Sequence, residues 1–249
     1  MKIGNLYVDF LAHVCFRFQS KQGKILITDP FFADGYQGVK GHFEKYLSPP
    51  DVRIKDIKRC DVIFISHIHG DHFDPHAVQS IQRQSQCAII APKDVLDVLK
   101  DMGIKGDFLH CAEEGAVFPI GDISISTYCG YDLKYTAKDG SQNKYAITVS
   151  TDSTSLFYSG DCHSLPPAVK GMTFDGMLCW PEPDDAKLLA LCTGIDAACF
   201  ILMHGDKFEP GNFICNLDFE EEKRRIERLV PGMNVIIPER VKSIAADRF

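Results

Sequence analysis

The feature that suggests chemistry is a dense group of histidines and aspartates in Phe64–Asp74, which reads FISHIHGDHFD directly after a short apolar run. Residues two apart on an extended backbone point the same way, so His67 and His69 can bind one metal ion. Asp71 and His72 then turn toward a neighbouring position. Imidazole and carboxylate ligands suit zinc, manganese and iron ions. The spacing therefore predicts a metal site in a loop.

The elements around this loop must place it at the end of a strand. The run DVIFIS predicts a strand before it, while Asp74 as N-cap and Pro75 at the first helical position predict a helix after it. Strands are also predicted in LYVDFLAHVCFRFQS and GKILITDPF, with a turn at Gln22–Gly23, followed by a long loop over Phe32–Pro50 that borders the pocket.

The rest of the chain mixes hairpin signals with alternating strands and helices. Hairpins are predicted in GAVFPIGDISISTY and KYAITVSTDSTSLFYSGD, and the last third alternates between the two element types. This mixture predicts an α/β fold with two sheets packed face to face and helices outside. Because no linker-like or low-complexity segment divides the chain, we expect one domain over residues 1–249.

Composition narrows the class of protein. The net charge of −7 argues against broad phosphate contacts with nucleic acid, although a local basic pocket could still bind a small metabolite. The ten cysteines form no C-x-x-C pair and many lie in apolar stretches, which favours free thiols in a reducing compartment. No apolar run is long enough to span a bilayer, and the N-terminal stretch is a poor signal peptide. We expect a cytoplasmic protein.

At the H-x-H-x-D-H residues the chain resembles the metallo-β-lactamase superfamily. That resemblance implies a four-layer αββα sandwich with a mono- or dinuclear metal site at one edge of its sheets. It also implies that Asp161, at the end of YSGD, is a metal-bridging carboxylate and that His204, at the end of ILMH, is the last histidine ligand. The segments LAHVCFRF, ILITDPFF and GDCH look most like the branch with phospholipase D-like and ascorbate-6-phosphate lactonase-like members.

At one ligand position of the family pattern, this chain has no histidine. The matching strand end reads ISISTYCGYD, where Asp132 is our expected substitute, with Cys129, His13 and a single-metal centre as open alternatives. An oxygen-rich shell at that position would favour Mn²⁺ over Zn²⁺.

Three further residues have predicted roles near the metal. His163, directly after the GDC of GDCH, is expected either to act on the substrate as a proton donor or to support a ligand. Asp29 ends the strand ILITD and is placed to accept a hydrogen bond from a ligand imidazole. Asp71 is the natural residue to orient the attacking water or move its proton.

These residues predict a hydrolase with one or two divalent metal ions (Zn, Mn or Fe). The expected substrate is a small, anionic molecule with a lactone or phosphoester bond, with no nucleic-acid or membrane partner and with a homo-oligomer left open. Three alternatives remain: a phosphodiesterase or nuclease of the tRNA 3′-processing type, a di-iron redox protein, and a non-catalytic metal-binding scaffold. His69 and the absence of a flavin domain count against the di-iron redox protein.

Overall fold

Two seven-stranded sheets form the frame of the fold. The computed structural model describes residues 1–37, 43–130, 144–209 and 216–244. The first sheet has the spatial order β1 (Lys2–Ile3), β2 (Leu6–Ala12), β3 (Cys15–Ser20), β4 (Ile25–Thr28), β7 (Val62–Phe64), β8 (Ala88–Ala91) and β9 (Leu109–Cys111). The second has the order β10 (Val117–Ile120), β11 (Ile123–Cys129), β12 (Tyr145–Ser150), β13 (Ser155–Tyr158), β15 (Gly176–Cys179), β17 (Phe200–Leu202) and β19 (Val235–Ile236).

Smaller elements complete the described residues. A three-stranded sheet contains β5 (Gly35–Gln37), β6 (Phe43–Tyr46) and β18 (Phe208–Glu209), and a two-stranded sheet contains β14 (Thr173–Phe174) and β16 (Asp196–Ala197). The α-helices are α1 (Pro75–Ser85), α2 (Lys93–Asp101), α3 (Asp185–Thr193) and α4 (Phe219–Leu229). Short 3-10 helices cover Ile54–Asp56, Gly106–Phe108 and Pro167–Val169. In the described segments, no helix combines the length and the apolar character needed to cross a bilayer.

Each large sheet is half antiparallel and half parallel. In the first sheet, strands β1 to β4 pair antiparallel, and β4, β7, β8 and β9 pair parallel. In the second, β10 to β13 pair antiparallel, and β13, β15, β17 and β19 pair parallel. Parallel neighbours need crossover connections, and helices supply several of them. Loops at the carboxyl ends of parallel strands are the usual place for a binding site.

Three apolar layers hold the helices and sheets together, which confirms the predicted αββα arrangement. Phe16 and Phe64 of the first sheet pack with Ile147 and Tyr158 of the second in the central layer. The outer face of the first sheet packs against α1 and α2, and the outer face of the second sheet packs against α3 and α4. Burying both faces of each sheet explains the near-continuous apolar runs of strands such as β4 and β7.

Two local predictions were wrong. The first apolar stretch is not one strand, because a turn at His13 and Val14 divides it into β2 and β3. The segment Phe32–Pro50 is not only loop, since β5 and β6 pair there as a small antiparallel ladder, with residues 38–42 outside the described part of the chain. Short strands with few apolar residues give little periodicity, so pattern alone misses them.

Candidate metal centre

The His-rich loop, residues 65–73, leaves β7 and enters α1. Its turn is closed by hydrogen bonds from the backbone N–H groups of His72 and Phe73 to the carbonyl oxygen of His69, at 3.0 and 2.8 Å. Asp74 then caps α1 by accepting from the N–H groups of His76 and Ala77, at 3.1 and 3.0 Å, as predicted. These bonds fix the loop at both ends, so its side chains are held at the edge of the first sheet.

Asp161 and His204 come from the facing sheet and meet this loop. They follow β13 and β17, two strands whose carboxyl ends lie at the same edge. The Asp161 Oδ1 atom lies 2.7 Å from His204 Nε2 and 3.1 Å from His72 Nε2. Its other oxygen, Oδ2, lies 3.6 Å from His67 Nε2. One carboxylate therefore stands between two sets of imidazoles.

The clustered ligand atoms form three overlapping groups within which all atoms lie less than 4.8 Å apart. The groups are His67, His69 and Asp161; His72, Asp161 and His204; and His13, Asp71 and His204. The sequence-predicted residues other than Asp132 and His163 are thus brought together. Asp132 lies outside the described residues.

His13 is the histidine that sequence reasoning left among several alternatives. Its Nε2 lies 3.5 Å from Asp71 Oδ2, and its ring centroid lies 4.5 Å from that of His204. The turn that carries it has a left-handed backbone, with φ 48°. The turn is held by a 2.6 Å hydrogen bond from the His13 N–H group to Asp206 Oδ2, and by the His204 N–H group donating to the His13 carbonyl at 3.0 Å. Position in the fold, rather than its apolar sequence setting, brings His13 into the site.

Several of these buried polar atoms lack hydrogen-bond partners. Among the described residues these include Nε2 of His67, His72 and His204, both ring nitrogens of His13, and Oδ1 of Asp161. Buried polar groups are rarely left unpaired in folded proteins. Close ligand atoms that make no hydrogen bond with one another fit a cation-binding role. The donor set of imidazoles and carboxylates suits a first-row divalent metal ion.

A second layer of hydrogen bonds fixes the orientation of His72. Its Nδ1 lies 2.7 Å from Asp29 Oδ2. The same carboxylate accepts from the hydroxyl groups of Tyr158 and Ser66, each at 2.6 Å, and from the Ser66 N–H group at 2.6 Å. With Nδ1 engaged, the Nε2 lone pair of His72 is the one available to a metal. The predicted supporting role of Asp29 matches this geometry.

The charges of the cluster shift its pKa values in opposite directions. Burial lowers the pKa of His67, His69 and His204. Burial would lower that of His72 as well, but the carboxylates of Asp161 and Asp29 raise the pKa of His72 well above its usual range. In the metal-free protein, these carboxylates therefore favour a proton on His72.

The two carboxylates of the cluster stay ionised. Burial alone would raise the pKa of Asp161, but His72 and His204 hold that pKa well below its usual range. The pKa of Asp71 is likewise lowered against the effect of burial, chiefly by His72 and His13. Both groups are thus available as anionic ligands at neutral pH.

His163 lies beside the cluster rather than in it. Its Nδ1 is 2.6 Å from Glu182 Oε2, and its ring centroid is 4.9 Å from that of Trp180. Trp180 in turn lies 6.0 Å from the His204 ring. No group of candidate ligands among the described residues includes His163. A substrate or supporting role fits this position better than metal binding.

Two further features border the centre. Lys144 is only 4% exposed, and its Nζ lies 3.9 Å from Asp161 Oδ2. Nothing in the sequence pattern singles it out. The Cα of Gly70 faces Tyr36 of β5 so closely that a Cβ there would lie 3.1 Å from the Tyr36 Cβ. The segment Phe32–Pro50 thus contacts the His-rich loop at Gly70, while Lys40 and His42 lie outside the described residues.

Comparison with known proteins identifies the family to which the chain belongs. The sequence pattern of the beta-lactamase superfamily domain matches residues 7–171, which is more than half of the chain. The chain belongs to the metallo-β-lactamase superfamily. The matched region contains the His-rich loop and Asp161 and ends before His204.

Two curated relatives show how far the sequence likeness extends. A metal-dependent hydrolase of Rubrobacter xylanophilus is 22% identical over 159 residues, which cover 64% of this chain and 54% of the relative. An N-acyl-phosphatidylethanolamine-hydrolysing phospholipase D of Caenorhabditis elegans is 30% identical over 87 residues, 34% of this chain and 24% of the relative. The matches thus span about half, or less, of these curated relatives.

A solved structure covers nearly the whole chain. The isothiocyanate hydrolase from Delia radicum gut bacteria has a TM-score of 0.67, with 15% identity over 96% of this chain and 98% of that protein. At this identity the likeness concerns the fold alone.

Proposed function

We propose that the protein is a metal-dependent hydrolase of a small anionic metabolite, with a lactone or phosphoester bond as its target. The observation that carries the proposal is the position of Asp161. Its two oxygens face different sets of imidazoles, with His72 and His204 on one side and His67 on the other. A carboxylate in that position can bridge two metal positions or anchor one.

The residues divide between two positions. His67, His69 and Asp161 would hold one metal ion, and Asp71, His72, Asp161 and His204 would hold the other. A bound divalent ion would supply Lewis acidity, which acidifies water and polarises a carbonyl or phosphoryl oxygen. His13, beside Asp71 and His204, is a further candidate ligand at the second position.

Proton transfer would fall to Asp71 and His163. The Asp71 carboxylate is ionised and 7% exposed, so it can orient a water molecule or accept its proton. His163 is paired with Glu182 and is partly exposed, so it can donate a proton to a leaving group or bind the substrate. The chain holds both groups on the side of the sheets where the candidate ligands lie.

Metal preference follows from the donor atoms. The group of His67, His69 and Asp161 contains two imidazoles and one carboxylate. If Asp132 completes it, the shell is richer in oxygen than a three-histidine site, and we expect higher activity with Mn²⁺ than with Zn²⁺. In metal titrations, Asp132→Ala should then weaken binding far more than Cys129→Ala does. Equal affinity in the two variants would remove Asp132 from the site.

Elemental analysis of the purified protein tests the proposal directly. We expect one or two divalent metal ions per chain, and His67→Ala combined with His69→Ala should remove the ion at the position that these two residues hold. The matched control is His76→Ala combined with His110→Ala, since both of these histidines are exposed and outside the cluster. A wild type that is free of metal and cannot take up Zn²⁺ or Mn²⁺ would contradict the proposal.

Activity is tested with panels of lactones and phosphoesters in the presence of the metal. Asp161→Asn should keep a cooperative melting transition but lose hydrolysis and most metal binding at the position that depends on it. Full activity in Asp161→Asn would show that Asp161 is not a ligand. The names of the relatives support hydrolysis as the reaction class, and the two names that specify a substrate specify different ones.

A further inference from the structure

A buried lysine lies against the candidate metal centre. The Lys144 side chain is 5% exposed, and its Nζ is 3.9 Å from Asp161 Oδ2. Lysine ammonium groups are almost never fully buried unless they are paired. The backbone on either side of Lys144 is fixed, because its carbonyl accepts from the Gly130 N–H group at 2.8 Å and the Tyr145 N–H group donates to the Ser66 carbonyl at 3.0 Å. The ammonium group is therefore held beside Asp161.

The two oxygens of Asp161 face different surroundings. Oδ1 lies near His72 and His204, with the Asp29 carboxylate behind His72. Oδ2 lies near His67 and near the Lys144 ammonium. The Oδ1 side of Asp161 thus faces two imidazoles, one of which is hydrogen-bonded to the negative Asp29 carboxylate. The Oδ2 side already faces the positive charge of Lys144.

The charge of Lys144 reaches both histidines on its side. The Lys144 Nζ lies 3.9 Å from the Asp161 oxygen that faces His67, and ligand atoms of His67, His69 and Asp161 lie within 4.8 Å of one another. A metal cation held by His67 and His69 would therefore lie close to the Lys144 ammonium group, and two positive charges at short range repel each other.

We propose that Lys144 stands in for a second cation beside Asp161, so that the chain binds one metal ion tightly, between His72 and His204, and a second ion only weakly, at His67 and His69. The inference rests on the ligand set of the proposed function. It adds that the two positions are unequal and names the residue that makes them so.

Zn²⁺ titration of metal-stripped protein against a chromophoric chelator tests this inference. We expect two affinities in the wild type, with the second at least about tenfold weaker than the first. Lys144→Met should strengthen the second site at least about tenfold and change the first by less than about threefold. Lys144→Gln, which is polar but uncharged, should give the same shift if Lys144→Met does not fold cooperatively.

Lys187→Met is the matched control. The Lys187 Nζ also lies 3.9 Å from a carboxylate oxygen, that of Glu182, but the side chain is 59% exposed and outside the candidate ligand groups. This variant should leave both affinities unchanged. Elemental analysis after dialysis should show close to one retained metal ion per wild-type chain and closer to two in Lys144→Met.

The outcomes separate this inference from the proposed function. A wild type that binds two Zn²⁺ ions with equal affinity overturns the role of Lys144 but leaves the metal centre intact. Unchanged second-site affinity in the folded Lys144 variants overturns it as well. A wild type that binds no Zn²⁺ or Mn²⁺ overturns the proposed function together with this inference.

Discussion

Replacing Asp29 by asparagine tests how the metal centre depends on its supporting hydrogen bonds. The carboxylate is fully buried and accepts from four donors. Oδ1 accepts from the Ser66 N–H group, and Oδ2 accepts from the Ser66 and Tyr158 hydroxyl groups and lies 2.7 Å from His72 Nδ1. Asn has nearly the same shape but only one acceptor oxygen and no charge.

The structure gives the size of the expected effects. The amide oxygen fits best at the Oδ2 position, where three donors converge, and its NH₂ group then faces the Ser66 N–H group. Leaving that buried N–H unpaired costs about 1–3 kcal/mol of unfolding free energy. Losing the carboxylate behind a ligand imidazole typically weakens metal binding by about 10- to 100-fold, which equals about 1.4 to 2.8 kcal/mol.

Denaturant unfolding of the metal-free protein and competitive Zn²⁺ titration measure the two effects separately. Tyr158→Phe is the control, because it removes a 2.6 Å hydrogen bond to the same oxygen but keeps the charge of Asp29. It should lower stability by about 1 kcal/mol and leave the metal affinity within about threefold. Wild-type affinity in Asp29→Asn would refute the claim that this carboxylate positions His72 for a metal.

Three further perturbations have expected outcomes. Because the pKa of His72 is raised, its proton stabilises the metal-free protein fully below a pH of about 6.5, and this stabilisation is lost as the pH rises through the folded-state pKa. Metal binding must therefore release this proton and weaken as the pH falls. Calorimetry at pH 7 in two buffers of different ionisation enthalpy measures the proton release, and its absence would contradict the prediction. Gly160→Ala should cost about 1–3 kcal/mol more than Gly103→Ala in denaturant unfolding, because both have positive φ but only the Cβ at Gly160 would press on Ser66, at 2.8 Å; equal losses would show that Ser66 yields. Zn²⁺ at about 1,000 times its Kd should stabilise the protein by about 4 kcal/mol and raise Tm by about 8–16 °C. Removing the metal with a chelator should reverse this rise, and an unchanged Tm after chelation would show that the folded state holds no metal.

The large elements of the fold could be predicted from the sequence because their local patterns agree with their tertiary roles. The apolar run before the His-rich loop forms β7, and the capping aspartate and proline begin α1 at Pro75. The hairpins β10–β11 and β12–β13 form where the turn residues indicated. The turn at His13 was not predictable in this way, because it contains no glycine, proline, asparagine or aspartate to mark it.

Only the part of the site that lies in one short stretch of sequence could be predicted from residue spacing. His67, His69, Asp71 and His72 lie close together in sequence, so their spacing alone predicts a metal loop. Residues from other elements enter the site only through the topology, and for Asp161 and His204 the family resemblance supplied the missing link. Lys144 has no such pattern. A single lysine before a strand looks the same in sequence whether it is solvated or buried against a carboxylate, and only the tertiary structure distinguishes the two.

Backbone strain is concentrated at the site. Among the described residues, four non-glycine residues have positive φ, and three of them are His13, Asp29 and His204. A left-handed conformation costs such residues roughly 1–2 kcal/mol each, so it persists only where other contacts enforce it. The bond from the Asp29 N–H group to the Phe64 carbonyl, at 2.8 Å, and the bonds that hold the His13 turn are such contacts.

The same strain bears on how the centre works. At His13, Asp29 and His204 the chain turns sharply where a strand ends, so these side chains leave the sheet edge in directions that an extended backbone would not allow. Their positions depend on the backbone of both sheets rather than on flexible loops. A ligand cluster held in this way loses little side-chain freedom when a metal ion binds, and its geometry limits which ions fit. The weaker metal binding that we propose at His67 and His69 would then come from the positive charge of Lys144 and not from a poorly ordered set of ligands.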